Sequence, residues 1–212
     1  MSNWNDSRID RDRADLVSDI LNYQDRLRFW KEVSAFGSMG LTYARTGNMD
    51  GLTEWDLLLA FFQASQLAEF QTTRSTYDEL KSGGELGLIR DLELRNLLAS
   101  YYTNADNPVL SERPTYREHV RGLIPLNIQN YIWENCYSSE GAFQSFLECE
   151  APIEMTEAAR RVDIISSNAQ LISELRYWMS TMRVALIMGN GRTELAEQLN
   201  SIVSEMLEGS KA

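Results

Sequence analysis

The feature that most constrains the fold is a long helical pattern near each end of the chain. In the first pattern, apolar or small residues recur at alternating spacings of four and three: Leu16, Ile20, Tyr23, Leu27, Trp30, Ser34, Gly37, Leu41 and Ala44. This spacing places one stripe along one face of a helix and predicts a long first helix over residues 10–46. Gly37 and Gly40 are expected to bend this helix or to permit close approach by a neighbour.

The second pattern predicts a long helix from Thr156 to Met188. Its stripe has the same spacing: Ile164, Asn168, Leu171, Leu175, Trp178, Met182 and Ala185. Gly189 and Gly191 are expected to close this helix, because glycine commonly follows a helix end. Apolar spacing then predicts a last helix, so residues 156–208 are expected to form a C-terminal helical hairpin.

Residues 53–150 are expected to form shorter helices. Thr53 and Asp56 approximate a capping box before an apolar helix. Pro125 is expected to interrupt a later helix because it lacks a backbone donor. The expected segments are Trp55–Phe70, Ser75–Gly83, a turn at Glu85–Arg90, a helix from Asp91 to Tyr102, Thr115–Asn135 and a short helix over Ser138–Cys149.

These patterns predict an all-α fold in one domain, residues 1–212. Sustained alternation of apolar and polar residues is missing, so strands are expected to be few or absent. The simplest packing is a helical bundle with the two long helices side by side and the shorter helices covering one flank. This arrangement is favoured over a dimeric coiled coil because the stripes mix large aromatic and small residues in no regular heptad.

Charge and motif content argue against several functional classes. Twenty Lys and Arg against thirty-one Asp and Glu give a net charge of −11, which disfavours nucleic acid as a partner. The single histidine, His119, lacks the spacing of a triad or zinc site and is interpreted as a surface or capping residue. Gly189 and Gly191 form a Gly-x-Gly without a preceding strand, typical of a turn. No catalytic, cofactor or metal site is predicted.

Two features have open interpretations. Cys136 and Cys149 are ordinary thiols in a reducing compartment, but in an oxidising one they are placed to pair. The densest polar cluster lies in residues 72–95, where arginines are expected to pair with acidic residues and lock two short helices together. The alternative for this cluster is a recognition surface. Its candidate residues are Arg74, Tyr77, Asp78, Glu79, Lys81, Arg90, Asp91 and Arg95.

Two blocks resemble a bacterial family of single-pass membrane proteins of unknown function. The first, Asn3-Trp4-Asn5-Asp6-Ser7-Arg8, is similar to an Asn-Trp-Asn-Glu-x-Arg string that follows that family's N-terminal anchor. The second runs from Ser75 to Gly84, continues through Leu86, Ile89 and Arg95, and ends at Tyr101-Tyr102; it is similar to a Thr-Tyr-x-Glu-Leu-Lys-Ser-x-Gly block. The resemblance covers about a sixth of the chain and transfers no catalytic residue.

The resemblance and the chain's own N-terminus indicate different locations. Residues 1–13 are polar and contain no signal peptide, and no run is apolar enough to span a bilayer, so a natural protein with this start would be cytoplasmic. The resemblance instead implies that residues 1–9 are a juxtamembrane start, that an anchor is missing from this chain, and that the domain faces the periplasm. We favour the periplasmic location.

Three functional hypotheses remain. The first is a membrane-tethered module for protein interaction or sensing, with a protein partner or self-association and without catalysis or cofactor. The second is a small-ligand-binding domain with a pocket near five aromatic residues: Trp55, Phe61, Phe62, Tyr101 and Tyr102. The third is an enzyme, which is disfavoured because acid–base groups other than carboxylates are scarce.

Overall fold

Helices dominate the computed structural model, which describes residues 2–68, 72–89, 91–103, 113–140 and 143–209. In these ranges the α-helices are α1 (Ser2–Thr46), α2 (Glu54–Gln63), α3 (Ser75–Ser82), α4 (Leu92–Thr103), α5 (Thr115–Leu123), α6 (Leu126–Asn135), α7 (Met155–Ser166) and α8 (Ala169–Gly209). A 3₁₀ turn covers Glu85–Leu88, and strands β1 (Tyr137–Glu140) and β2 (Phe143–Phe146) form one antiparallel pair. The all-α prediction is confirmed.

The two long helices, α1 and α8, pack together as predicted. By internal packing the chain divides into two compact units. The first unit comprises residues 1–26, 70–108 and 187–212, and the second comprises residues 27–69 and 109–186. Each long helix therefore contributes one segment to each unit.

In the first unit, the start of α1, the end of α8, α3 and α4 contribute to one core. Leu16 and Tyr23 from α1 belong to this core together with Leu199 and Val203 from α8. The start of α1 shares a unit with the end of α8, and the end of α1 shares a unit with the start of α8, so the long helices run antiparallel. Tyr101 from α4 is fully buried in the same core. The predicted stripe of α1 is thus its buried face.

In the second unit, α2 is the central element. Its capping box is formed as predicted, with the Thr53 Oγ1 accepting from the Asp56 N–H at 3.1 Å and Asp56 Oδ2 accepting from the Thr53 N–H at 2.8 Å. All its residues from Leu57 to Gln63 are buried, and it packs against α7. The helix ends at Gln63, earlier than predicted, while residues 69–71 lie outside the described residues.

Two glycines of α1 permit close helix contacts, the second of the two alternatives expected from the sequence. A Cβ at Gly40 would lie 2.7 Å from Cε1 of Phe61 in α2. A Cβ at Gly37 would overlap the sulfur of Met179 in α8. Both separations are shorter than van der Waals contact, so a side chain at either position would force Met179 or Phe61 to move.

The C-terminal helices are divided differently from the prediction. The predicted helix from Thr156 breaks at Asn168, whose Oδ1 accepts from the Leu171 N–H at 3.1 Å and so caps α8. Asparagine favours this capping role over a helix interior. The predicted closure at Gly189 and Gly191 is wrong, because α8 continues through both to Gly209. A glycine costs a helix only about 1 kcal/mol, which the buried stripe of α8 outweighs.

The predicted short helix over Ser138–Cys149 is also wrong. The strands pair in the register Tyr137 with Phe146 and Glu140 with Phe143. A disulfide joins Cys136 to Cys149 with a Cα–Cα distance of 5.2 Å. Thirteen helical residues would separate these cysteines by about 20 Å, so the disulfide requires a chain reversal.

Other boundaries agree more closely. The predicted interruption at Pro125 separates α5 from α6, and Asp91 caps α4 through hydrogen bonds from the N–H groups of Glu93 and Leu94. Helix α1 begins at Ser2, although residues 1–9 were expected to precede it. No helix in the described ranges is both long and apolar enough to cross a membrane.

The disulfide generates a stability prediction. Reduction is expected to lower the free energy of unfolding by about 2–4 kcal/mol, because the unfolded chain loses a covalent loop closure. Denaturant unfolding of the wild-type chain, with and without dithiothreitol, measures this change. Cys136→Ala/Cys149→Ala is the control and should not respond to dithiothreitol; equal stability of oxidised and reduced wild-type chain would contradict the prediction.

The contact at Gly40 generates a second prediction. Gly40→Ala should destabilise the protein by about 1–3 kcal/mol, because the Phe61 ring must shift within a packed core. Gly191→Ala is the matched control, since Gly191 is also helical but has open space around it. That change should stabilise by about 0.5–1 kcal/mol. Thermal and denaturant unfolding compare the two, and equal effects would refute the steric explanation.

Candidate functional site

The polar cluster predicted from the sequence is divided among structural roles. Arg74 Nε lies 3.2 Å from Asp78 Oδ2, an ion pair between residues one helical turn apart. Glu79 pairs instead with Arg11 of α1, at 3.7 Å. Asp91 is the N-cap of α4. Arg90, a third arginine of the cluster, lies outside the described residues, so the expected locking of α3 to α4 stays a prediction.

The remaining members of the cluster also do not converge. Tyr77 is buried and stacks on Tyr102 with ring centroids 4.4 Å apart, which makes it a core residue. Lys81 is exposed at the end of α3. The side chain of Arg95 forms no hydrogen bond or ion pair with any residue in the described ranges, and Arg90 lies outside them.

Two aspartates of α1, which the sequence pattern did not single out, hold the segment that leads into α3. Asp19 is fully buried and accepts hydrogen bonds from the Thr73 N–H at 2.8 Å and from the Tyr101 hydroxyl at 2.7 Å. Asp15, one turn earlier, accepts from the Thr76 N–H at 3.3 Å. The N-terminus of α3 has no local side-chain cap. A neighbouring helix supplies this cap.

Burial sets the protonation of this network. It raises the pKa of Asp19 above its ordinary value of 3.8, and the hydrogen bonds from Thr73 and Tyr101 oppose that shift without cancelling it. Burial also raises the pKa of Tyr101, so its hydroxyl keeps its proton and donates to Asp19. The Arg192 side chain donates to the Tyr101 carbonyl at 2.8 Å and completes the cluster.

In the second unit, side chains donate hydrogen bonds to the backbone carbonyls at and just beyond the C-terminal end of the buried α2. The Phe61 carbonyl accepts from the Tyr116 hydroxyl at 2.8 Å, and the Ala64 carbonyl accepts from Trp178 Nε1 at 2.9 Å. The Ser65 carbonyl accepts from Arg117 Nη1 at 2.6 Å. A helix leaves its last carbonyls without intrahelical partners, and here water has no access to satisfy them.

Arg121 belongs to the same assembly. Its guanidinium lies 4.8 Å from the ring centre of Phe62 and 5.1 Å from that of Trp133. It donates to Ser65 Oγ at 3.0 Å and to Gln66 Oε1 at 3.1 Å. Burial, and then the charge of a neighbouring arginine, lower its pKa. Aromatic faces and neutral acceptors stabilise this cation, which gives Arg121 a structural role.

The aromatic residues expected to line a ligand pocket are core residues instead. All five are buried, Trp55, Phe61 and Phe62 in the second unit and Tyr101 and Tyr102 in the first. None of them lines any of the surface grooves described below. A binding pocket near these residues stays a prediction.

Surface grooves occur elsewhere. One, on α4 in the first unit, includes Leu92 and Leu97. In the second unit, a groove near the start of α5 includes Tyr177, and close by the Nδ1 of the exposed His119 lies 2.9 Å from Glu174 Oε2.

The groove with the most distinctive chemistry lies between the end of α1 and the start of α8 in the second unit. We call it the α1–α8 groove, and it is lined by Ser38, Leu41, Thr42, Ala44, Arg45, Ile172 and Arg176. It combines apolar walls with two arginines. Sequence reasoning missed it because residues far apart in the chain form its two sides.

Neither a metal site nor a similar protein points to a function for this chain. In the described part of the chain, no group of three or more His, Cys, Asp and Glu side chains is arranged to hold a metal ion. No family model matches the chain, and no curated protein or solved structure matches it. Functional inference therefore depends on the chain's own surfaces.

The buried carboxylate generates a pH prediction. Because the folded-state pKa of Asp19 is raised, the folded protein binds a proton more tightly than the unfolded chain. The Asp19 contribution to stability is therefore most favourable below pH 3.8 and falls as pH rises towards the folded-state pKa, above which it is constant. The difference in unfolding free energy between wild type and Asp19→Asn should fall over this window.

Tyr101→Phe provides an internal check on the sign. It removes a donor to the charged form of Asp19, so the folded-state pKa should rise further and the decline should extend to higher pH. Urea unfolding across a pH series measures both variants against wild type. A difference between wild type and Asp19→Asn that is flat with pH, or that grows as pH rises, would contradict a raised pKa for Asp19.

Proposed function

We propose that this chain is the extracytoplasmic part of a membrane-tethered protein and acts as a non-catalytic helical module for protein interaction. The observation that carries the proposal is the outward face of α1, which we define as Ala14, Val17, Ser18 and Leu21. All four side chains are exposed, Val17 by 43% and Leu21 by 54%. Exposed apolar surface of this kind is characteristic of association sites.

This outward face is opposite the buried face of the same helix. Leu16 and Tyr23 are 0% and 2% exposed, and at about 100° per residue Val17 and Leu21 are directed away from them. The charges of this stretch do not interrupt the outward face, because Asp15 and Asp19 are bonded to the segment around α3. An uncharged strip on a chain of net charge −11 favours contact with another apolar surface.

Two observations support the extracytoplasmic location. The Cys136–Cys149 disulfide is typical of proteins in an oxidising compartment. The resemblance at Asn3–Arg8 puts α1 directly after a membrane anchor, so its outward face would lie close to the bilayer. A second copy of the chain or another anchored protein can reach this face without crossing the domain.

Site-specific photocrosslinking tests the proposal. With benzoylphenylalanine at Leu21 in an anchored chain exported to the periplasm, we expect one discrete adduct, formed with a second copy or with another protein. The reporter at Glu197, an exposed residue of α8, is the matched control and should give none. Val17→Asp should abolish the adduct at Leu21, because a charge in the apolar contact must be desolvated.

The mass of the adduct distinguishes self-association from a different partner. A chain that is monomeric in the membrane and yields no adduct at Leu21 would refute the interaction function. Equal labelling at Leu21 and Glu197 would also refute it, because that result indicates collision without a specific surface.

A further inference from the structure

The arginines of this protein fall into groups with different environments. Four of the eight exposed arginines in the described ranges have a carboxylate partner, for example Arg13 with Asp10 at 3.5 Å and Arg28 with Glu32 at 3.2 Å. Such pairs are the expected state in a chain with thirty-one acidic residues and twenty basic ones. An arginine without an acid in a concave site is therefore informative.

Arg45 and Arg176 are such arginines, and both line the α1–α8 groove. Neither side chain forms a hydrogen bond, ion pair or ring contact with any residue that the structure describes. They come from different helices, Arg45 from the last turn of α1 and Arg176 from the second turn of α8. Among the described residues that line the groove, none is acidic.

Apolar residues form most of the rest of the groove. Leu41, Ala44 and Ile172 are half-buried and supply apolar walls. The hydroxyl of Ser38 already donates to the Ser34 carbonyl at 2.8 Å, so its oxygen is available as an acceptor. The groove has a volume of about 450 Å³, within the range of roughly 300–1,000 Å³ that is typical of small-molecule sites.

We propose that the α1–α8 groove binds a small amphiphilic carboxylate, with the head group between Arg45 and Arg176 and the apolar body against Leu41 and Ile172. Guanidinium groups bind carboxylates through paired, charge-assisted hydrogen bonds. The two guanidinium groups attract the anion, and the apolar walls remove its tail from water. The head group and the tail are both required, because exposed ion pairs alone contribute little.

The net charge of the protein does not prevent this binding. At physiological ionic strength, charges further away than about 8 Å are largely screened, so the two local cations dominate at the groove. The groove also belongs to the second unit, whereas the outward face of α1 at Val17 and Leu21 belongs to the first. An experiment can therefore refute the ligand site without refuting the interaction function, and the reverse.

Titration of the purified chain with octanoate, followed by ¹H–¹⁵N and methyl NMR, tests the proposal. We expect saturable shifts centred on Leu41 and Ile172. Acetate has the charge without the tail and 1-octanol has the tail without the charge, so both should bind at least several-fold more weakly. Equal binding of octanoate and 1-octanol would overturn the proposal.

Arginine variants locate the head group. Arg45→Gln and Arg176→Gln should each weaken octanoate binding by about fivefold, the effect of losing one exposed ion pair. Arg183→Gln is the matched control, because Arg183 is exposed on the same helix but does not line the groove. Unchanged circular dichroism and melting temperature would show that the three variants remain folded.

Three results would overturn the carboxylate site. One is equal octanoate affinity for wild type, Arg45→Gln and Arg176→Gln. Another is a pattern of octanoate shifts spread over the surface without a centre at the groove. The third is binding of phosphatidylglycerol vesicles at these residues in the absence of octanoate binding, which would assign the groove to a membrane surface.

Discussion

The antiparallel pairing of α1 with α8 is the interaction on which the rest of the structure depends. In proteins, most of the stability of a helix comes from packing its apolar face and less from the intrinsic propensity of its residues. Each fully buried large side chain, such as Leu16 or Leu199, contributes about 1.5–3 kcal/mol. In the first unit the two helices form a core with α3 and α4. In the second unit, Phe61 of α2 packs against α1 at Gly40. The shorter helices are positioned by these contacts.

Sequence patterns predicted the elements whose signals are local. The capping box at Thr53, the N-cap at Asp91 and the break at Pro125 each depend on residues within a few positions of one another. The stripes of the two long helices were equally readable because a helical face repeats every 3.6 residues. These signals were sufficient for the fold class and for the side-by-side packing of α1 and α8.

The wrong predictions of helix ends and of the hairpin depend on contacts that a local sequence pattern does not reveal. Asn168 fitted the apolar stripe by its spacing, but its side chain satisfies a backbone N–H better than it fills a helix interior. Gly189 has the appearance of a stop signal, yet the helix continues because buried residues flank it on both sides. The hairpin at residues 137–146 was missed because a disulfide and aromatic contacts from α1 hold it, including Phe146 stacked on Phe29 at 4.8 Å.

The candidate site was harder to predict than the fold, because the partners of its charged residues lie far away in the chain. Arg74 and Asp78 are four residues apart, and that pair is visible in the sequence. Asp19 and Thr73 are 54 residues apart, so a hydrogen bond between them is invisible before the fold is known. In the cluster at residues 72–95, Asp91 caps a helix and Arg74 pairs with Asp78 within one turn, so density of charge alone is weak evidence for recognition.

The same reasoning separates structural arginines from arginines that are available to a ligand. Arg117 and Arg121 donate to groups at the end of α2, which would otherwise be buried without partners. Removing either would leave carbonyl or hydroxyl groups unsatisfied, so the fold itself accounts for their positions. No such acceptor in the described residues accounts for Arg45 and Arg176, and both line a groove with apolar walls. Ligand sites combine a concave, largely apolar surface with a few polar or charged groups. The two arginines of this groove, which have no structural partner in the described residues, fit that description.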